Sequence, residues 1–288
     1  MARRTRLATA FTSLILAAAA SAGDFIRVEE DDSAARLQTA VTRYEKDGQS
    51  VELVGAVHIA DKAYYQTLTT RFQSYDSLLF EMIGGEKFAA KDKLEVLAEE
   101  AEQKNLSGLH KIYDMVATFL NLTGQTGSID YTTKNFVHAD LTVAEFTKMQ
   151  NERGESLIGF ALKAGKLDPD APNQPDPAKL LKAMLSGSSN LVKLEIVHTL
   201  GQGDDQIAAF AGESVIISDR NQRCLEVMNA EFAAGHRNLG IFYGAAHFPD
   251  MEKRLLELGF KRSKQEWLTA WNIPKMAAKP AIDLKEAF

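Results

Sequence analysis

The sequence predicts an α/β fold: a single domain with a mixed or mostly parallel sheet and a helical cap inserted in its middle. Short apolar runs rich in Val, Leu, Ile and Phe alternate with helical patterns in both halves of the chain, which is typical of β-α-β units. The stretch between these halves is mostly helical in pattern. The composition, with 45% hydrophobic and 25% charged residues, is that of a globular protein with a substantial core.

The first half of the chain predicts a β-α-β unit. Residues 50–57 (SVELVGAV) form a short apolar run that indicates a strand, and Asp61 is a good residue to begin the helix that follows. Residues 77–83 (SLLFEMI) indicate a second buried strand, which ends at two glycines. Strand, helix and strand in this order predict two parallel strands joined by a right-handed crossover.

The middle of the chain predicts the cap, a helical insertion at about 90–212. Within it, residues 165–179 hold four of the seven prolines, which favours an exposed loop. The second half then returns to alternation, with the following predicted elements in order: a strand at 214–218, a helix at 220–235, a strand at 239–245, a helix at 250–258 and a closing strand at 267–273.

The first 22 residues are typical of a secretory signal peptide. Three arginines precede an apolar run, and Ala20-Ser21-Ala22 matches a small-x-small cleavage site. The run is shorter than the roughly 20 apolar residues that a membrane-spanning helix needs. We therefore expect a mature domain at 23–274 with a tail at 275–288, a periplasmic or secreted location, and no stable membrane anchor after cleavage.

Charge and cysteine content exclude two classes of protein. The 39 acidic residues outnumber the 33 basic ones and give a formal charge of -6, whereas a nucleic-acid-binding protein usually has a basic surface. The chain has one cysteine, Cys224, so it cannot form an internal disulfide. No His or Cys lies near Cys224 in the sequence, so we expect a buried, unreactive thiol.

Two stretches of the chain repeat one motif. Each has an apolar strand, then Gly-Ala-x-His, two further residues, an Asp and a helix, and the matching residues are Gly55, His58 and Asp61 in the first stretch and Gly244, His247 and Asp250 in the second. The carboxyl ends of parallel strands meet at one edge of a sheet, so the motif predicts that His58 and His247 share that edge.

Glu81 lies in the second apolar run, where an unpaired carboxylate is unfavourable. Two imidazoles and a carboxylate are a common ligand set for a divalent metal ion, so His58, His247 and Glu81 are candidate metal ligands. The alternatives stay open: each His could be an ordinary hydrogen-bonded loop residue, and Glu81 could pair with an arginine. Asp61 and Asp250 are expected to cap helices rather than bind metal.

With these motifs the sequence resembles the TraB/PrgY/GumN family, which includes the Tiki proteases. The resemblance rests on GAVH at 55–58, GAAH at 244–247, the FEMI segment that carries Glu81, and the Asp-Arg-Asn segment at 219–221. NFVHADLTVAEF at 135–146 and WLTAWNI at 267–273 also resemble segments of bacterial members.

The resemblance implies a fold related to the erythromycin-esterase and haem-binding ChaN-like groups. It also implies metal-dependent peptide hydrolysis centred on His58, His247 and Glu81, with Mn, Co or Zn as the ion. Glu81, Arg220 and Asn221 are then candidate catalytic residues, because Glu81 or a metal-bound water could deliver the attack and Arg220 could hold a substrate carboxylate or stabilise an oxyanion. A structural ion pair with Glu81 is the alternative role for Arg220. His138 is a possible additional site residue.

The sequence therefore predicts an exported metal-dependent hydrolase, with a peptidase as the first expectation, that acts on a peptide or a small-molecule substrate. Two other functions stay open. One is a non-catalytic protein that binds a peptide or haem at the same edge, and the other is an esterase-like hydrolase in which a histidine acts as general base without a metal. The sequence does not decide the oligomeric state.

Overall fold

A computed structural model of the chain describes residues 25–86, 115–155, 176–201 and 214–275. These residues form a single α/β domain around a mixed sheet, as the sequence predicts. The predicted signal peptide, most of the predicted tail and much of the predicted insertion lie outside the described residues. Within the described ranges, no helix is both long and apolar enough to cross a membrane.

The main sheet has seven strands, and six of them run in the same direction. Their order is β1-β2-β3-β8-β5-β7, and β9 pairs with the other side of β2. The one strand that runs in the opposite direction is β2. The strands of this sheet are β1 (Ile26–Glu30), β2 (Ala34–Lys46), β3 (Gln49–Ala56), β5 (Ser77–Phe80), β7 (Phe136–His138), β8 (Asn238–Gly244) and β9 (Lys261–Pro274). Two short strands, β4 (Ile59–Ala60) and β6 (Thr123–Gly124), pair with each other beside it.

Seven α-helices have their bounds within the described residues: α1 (Lys62–Phe72), α2 (Gln125–Ser128), α3 (Val143–Arg153), α4 (Pro177–Leu185), α5 (Ser189–Gly201), α6 (Arg220–Ala233) and α7 (Phe248–Glu257). Helices cover both faces of the sheet. Phe242 of β8 packs against Phe72 of α1, whereas the next residue, Tyr243, faces Cys224 of α6. Because successive side chains of a strand point to opposite faces, α1 and α6 lie on opposite sides.

Burial on both faces explains the apolar runs that the sequence analysis recognised as strands. All four residues of β5 are buried, as are five of the seven in β8. The predicted β-α-β unit corresponds to β3, α1 and β5. The two strands are parallel, but β8 lies between them in the sheet. The closing strand prediction is confirmed within the longer strand β9. Cys224 is buried, and its burial raises the pKa of its thiol.

The strand predicted at 214–218 is wrong, because Val215–Asp219 form a turn of π-helix that leads into α6. The Ser214 hydroxyl accepts a hydrogen bond from the backbone N–H of Ile216, as a helix cap does. The apolar run packs against Leu141 and Phe146 rather than joining the sheet. A short buried apolar run does not distinguish a strand from a buried helical turn.

The described part of the predicted insertion at about 90–212 contains α2 to α5, but it is not purely helical. It also contains β6 and β7, and β7 pairs with β5 as an edge strand of the main sheet. Pro177, which the sequence analysis placed in the proline-rich loop, is the first residue of α4. The helical cap as a unit therefore stays a prediction.

Substituting Gly240 by Ala should destabilise the fold. Gly240 is buried in β8, and an added Cβ would lie 2.7 Å from atoms of Leu78 and Tyr75. Overpacking of this kind costs about 1–3 kcal/mol of unfolding free energy. Urea denaturation measures this change, and Gly127→Ala is the matched control because nothing lies within 4 Å of the added Cβ. Equal midpoints for the two variants would contradict this account of β8 packing.

Candidate functional site

The carboxyl ends of four parallel strands bring predicted site residues to one edge of the sheet. Glu81 follows β5 directly, and His138 is the last residue of β7. His58 and His247 lie two and three residues after the ends of β3 and β8. This edge is the usual ligand-binding position of a parallel sheet.

Arg220, the first residue of α6, lies at the centre of a buried ionic cluster. Its Nε and Nη2 atoms donate to the two carboxylate oxygens of Asp140, at 2.9 and 2.6 Å. Nη2 also donates to Oε1 of Glu81 at 2.7 Å. Nη1 donates to the carbonyl oxygen of Ile216 at 3.3 Å and faces Nε2 of His247 at 3.4 Å. A guanidinium has five N–H bonds, so each one has an acceptor within the protein.

The ion pair with Glu81 that the sequence analysis considered for Arg220 is present in the structure. The Arg220 side chain is 8% exposed, and its strongest bonds go to two carboxylates. Burial lowers the pKa of Arg220, but the neighbouring charges of Asp140 and then Glu81 raise it above its ordinary value overall. Arg220 is therefore a fixed cation that holds two acidic side chains, and it has no unused N–H for a substrate carboxylate.

Glu81 is ionised in this cluster. Oε1 accepts from Arg220, and Oε2 accepts from the backbone N–H of Gly244 at 2.6 Å. Burial raises the pKa of Glu81, but Arg220 and then His247 and His58 outweigh it and hold this pKa well below its ordinary value. Glu81 is therefore a negative charge at neutral pH and not a proton donor.

His247 is buried, and Asn221 determines which of its ring nitrogens carries the proton. The side-chain N–H₂ of Asn221 donates to the His247 carbonyl oxygen at 3.0 Å and to Oδ2 of Asp250 at 2.8 Å. The Asn221 amide oxygen is therefore the atom that faces Nδ1 of His247, at 2.6 Å. Since an amide oxygen only accepts, Nδ1 carries the hydrogen. In the neutral ring, Nε2 then has its lone pair and lies 3.5 Å from Oε1 of Glu81.

His58 is exposed, in contrast to the buried His247 in the same sequence motif. After β3 the chain continues extended into β4, which pairs with β6, and the His58 carbonyl oxygen accepts from the Gln125 backbone N–H at 2.8 Å. After β8 the chain turns at once into a 3-10 turn, Ala245–His247, and the His247 ring packs edge-on against Tyr243. The repeated sequence therefore does not produce a repeated side-chain position.

His138 lies at the same edge but not in the ionic cluster. Its Nε2 lies 2.8 Å from the Met82 carbonyl oxygen and can only donate to it, and its ring packs against Phe80. An added Cβ on Gly85 would lie 2.8 Å from the His138 ring, so the loop after Glu81 packs closely against it. These contacts give His138 a role in fixing that loop.

Asp140 and Asp250 are the site residues whose roles the sequence analysis missed. Asp140, which the sequence analysis did not single out, binds Arg220, while Thr142 forms the capping box of α3 with Glu145. Asp250, considered a helix cap, lies within α7 and binds Asn221 and Arg254. The available signal for Asp140 was its place two residues after the FVH run, but β7 has only three residues, which is too short a run to be recognised as a strand.

The predicted metal ligands are only partly assembled. His247 Nε2 and Glu81 Oε1 are 3.5 Å apart, a distance that two ligands of one ion can span. The same two atoms face the Arg220 guanidinium, and His58 lies exposed at the rim. Among the described residues, no group of three or more His, Cys, Asp or Glu is placed to hold a metal ion. As placed, these side chains do not fit a metal centre, and the ion stays a prediction.

Comparison of the chain with models of known protein families found no match, and comparisons with curated proteins and with solved structures found none either. The resemblance to the TraB/PrgY/GumN family therefore rests on the motifs quoted above and stays an expectation.

Replacing Asn221 by Ala should release the His247 ring. The variant leaves Nδ1 of His247 without its acceptor and should lower the unfolding free energy by about 1–3 kcal/mol. Nitrogen-15 NMR of the imidazole should show Nδ1 protonated and Nε2 unprotonated in the native protein at high pH, and a mixture of both tautomers in the variant. Asn229→Ala is the control, because Asn229 is exposed on the same helix. A native Nε2–H tautomer would contradict the assignment.

Lowering the pH should remove the stabilisation that ionised Glu81 provides. The pKa of Glu81 is lower in the folded chain than its usual value of about 4.3, so the folded state binds its proton more weakly than the unfolded state. This contribution is complete above the usual pKa and is lost as the pH falls through the folded value. Glu81→Gln should flatten the acid limb of a plot of unfolding free energy against pH. An acid limb as steep as that of the native protein would show that other carboxyl groups cause it.

Proposed function

We propose that this chain is a hydrolase in which His247 acts as the general base beside an ionised Glu81 and a fixed Arg220. The observation that carries the proposal is the Asp250–Asn221–His247 chain of hydrogen bonds, which places the hydrogen on Nδ1 and the lone pair on Nε2, where it faces Arg220 Nη1 at 3.4 Å. A histidine held in one tautomer by a second side chain is a recurrent arrangement in general-base catalysis.

The proposed proton path uses the atoms that surround Nε2. A water molecule attacks a substrate carbonyl carbon while Nε2 of His247 takes its proton, and the leaving group later receives that proton from the imidazolium. For Nε2 to take the proton, the Arg220 Nη1–H that faces it at 3.4 Å must turn away. The imidazolium then has the Asn221 amide oxygen at Nδ1–H and Glu81 Oε1, 3.5 Å away, at Nε2–H. Arg220 keeps Glu81 ionised, so the negative charge is in place before the proton moves.

We propose an exported location and a peptide or small-molecule ester as substrate. The location is supported by the basic, apolar and small-residue segments of residues 1–22. A carbonyl substrate is supported by the imidazole of His247, because acyl transfer to water needs a base that takes a proton from the attacking water.

A metal-dependent peptidase is the second candidate, and the distance between two donor atoms favours it. His247 Nε2 and Glu81 Oε1 are 3.5 Å apart, and Nε2 is the unprotonated nitrogen that a metal ion requires. His58 would have to move from the rim to complete the set, and Arg220 would have to leave the donor pair.

Comparing three histidine variants of the purified mature protein separates the two candidates. The probes are 4-nitrophenyl butyrate as an ester and fluorescein-labelled casein as a peptide substrate. General-base catalysis without metal predicts that His247→Gln loses about 100-fold or more of kcat, that His58→Gln stays within a few-fold, and that a chelator has no effect. His198→Gln is the surface control, because His198 is partly exposed and pairs with Glu30.

Three other outcomes would contradict general-base catalysis by His247. Equal loss in His58→Gln and His247→Gln, together with one metal ion per chain that both variants lose, would indicate the metal-dependent peptidase. Full activity in His247→Gln would exclude His247 as the base. Saturable binding of a peptide or haem without turnover would indicate a binding protein instead.

A further inference from the structure

We infer that Asp140 is a positioning residue for the proposed reaction. It fixes the rotation of the Arg220 guanidinium so that the edge formed by Nη1 and Nη2 faces His247 and Glu81. This inference rests on the proposed function. Among the described residues, Asp140 makes no hydrogen bond to Nε2 of His247 or to Glu81, so it acts on them through Arg220.

The guanidinium group of Arg220 is planar and rigid. Its planar fork offers one edge formed by Nε and Nη2 and another formed by Nη1 and Nη2. Asp140 occupies the first edge with two bonds, at 2.9 and 2.6 Å. The second edge then points at His247 Nε2 and Glu81 Oε1, at 3.4 and 2.7 Å.

The other contacts of Arg220 do not fix this rotation equally well. The Ile216 carbonyl oxygen accepts from Nη1 at 3.3 Å, a long and single bond. Asp140 is bidentate, its side chain is fully buried, and its Oδ1 also accepts from the Leu141 backbone N–H at 2.7 Å. A bidentate bond to a carboxylate that is itself held in place fixes both the position and the plane of the guanidinium.

The charges of the cluster support a positioning role over a purely stabilising one. Two carboxylates share one guanidinium, so Arg220 would keep an ionic partner if either were removed. Asp140 is therefore more than is needed to neutralise Arg220. Asp140 additionally fixes the orientation of the guanidinium, which Glu81 alone could not do because it contacts only Nη2.

Asp140→Asn tests the inference. The asparagine keeps one acceptor for Nε–H but puts an N–H₂ group opposite Nη2, so the guanidinium should rotate. We expect kcat on 4-nitrophenyl butyrate to fall about 10–100-fold while KM changes less than threefold, because a small misplacement affects the reaction more than binding. Asp140→Glu keeps the charge and both acceptor oxygens and should recover part of the lost kcat.

Asp219→Asn is the matched control. It disrupts another Asp–Arg pair one residue before Arg220, the 2.9 Å pair between Asp219 and Arg153, which is more exposed. This variant should keep the native kcat. A similar loss in both variants would mean that any disturbance of this segment reduces activity, and the positioning role would be wrong.

Chemical rescue gives a readout that a structural role would not change. Free guanidinium ion should restore activity to Arg220→Ala, because Asp140 and Glu81 leave a cavity of matching charge. It should restore much less to the double variant with Asp140→Asn, since the ion is no longer oriented. Equal rescue in both backgrounds would overturn the inference.

A measurement without substrate separates failure of this inference from failure of the proposed function. The Nε–H signal of Arg220 in a nitrogen-15 correlation spectrum should exchange slowly with solvent in the native protein and in the Asp219→Asn control. It should shift and exchange faster in Asp140→Asn. An unchanged signal would overturn the positioning role whatever the activity, whereas an inactive native protein with the expected signal would reject the proposed function alone.

Discussion

The shared salt bridge of Arg220 with Glu81 and Asp140 is the interaction on which the rest of the candidate site depends. A buried guanidinium without a partner costs several kcal/mol, so a carboxylate partner is required for α6 to dock where it does, and Arg220 has two. Each partner comes from a different strand end, since Glu81 follows β5 and Asp140 follows β7. The cluster therefore fastens a helix to two strands, and its ionised glutamate is at the same time the group that faces His247.

Much of the sheet could be predicted from the sequence, because its central strands are buried on both faces. The runs 50–57, 77–83 and 239–245 are continuous and apolar for that reason, and the rule that parallel strands end at one edge was enough to bring Glu81 and His247 together. Strands β1 and β2 were not recognised. β2 contains buried polar residues, Gln38, Thr39 and Thr42, among its apolar ones, so its burial is not visible in its composition.

The details of the site could not be predicted, because they depend on how the chain leaves each strand. The two Gly-Ala-x-His motifs are alike in sequence, but pairing of β4 with β6 keeps His58 extended while a 3-10 turn buries His247. The partner of Arg220 was also not predictable from spacing, since Asp140 lies 80 positions earlier in the chain. Local pattern predicts which residues reach the edge, whereas tertiary packing decides which of them touch.

The first turn of α6 has a mechanical consequence. Successive residues of an α-helix point about 100° apart, so Arg220 and Asn221 leave the same helix end in different directions. One reaches Glu81, and the other reaches the ring of His247. The positions of the Glu81 carboxylate and the His247 ring therefore both depend on α6. A shift or rotation of this helix would disturb both side chains together, and neither could be readjusted alone. The separation between them is a property of the helix and not of two independent loops.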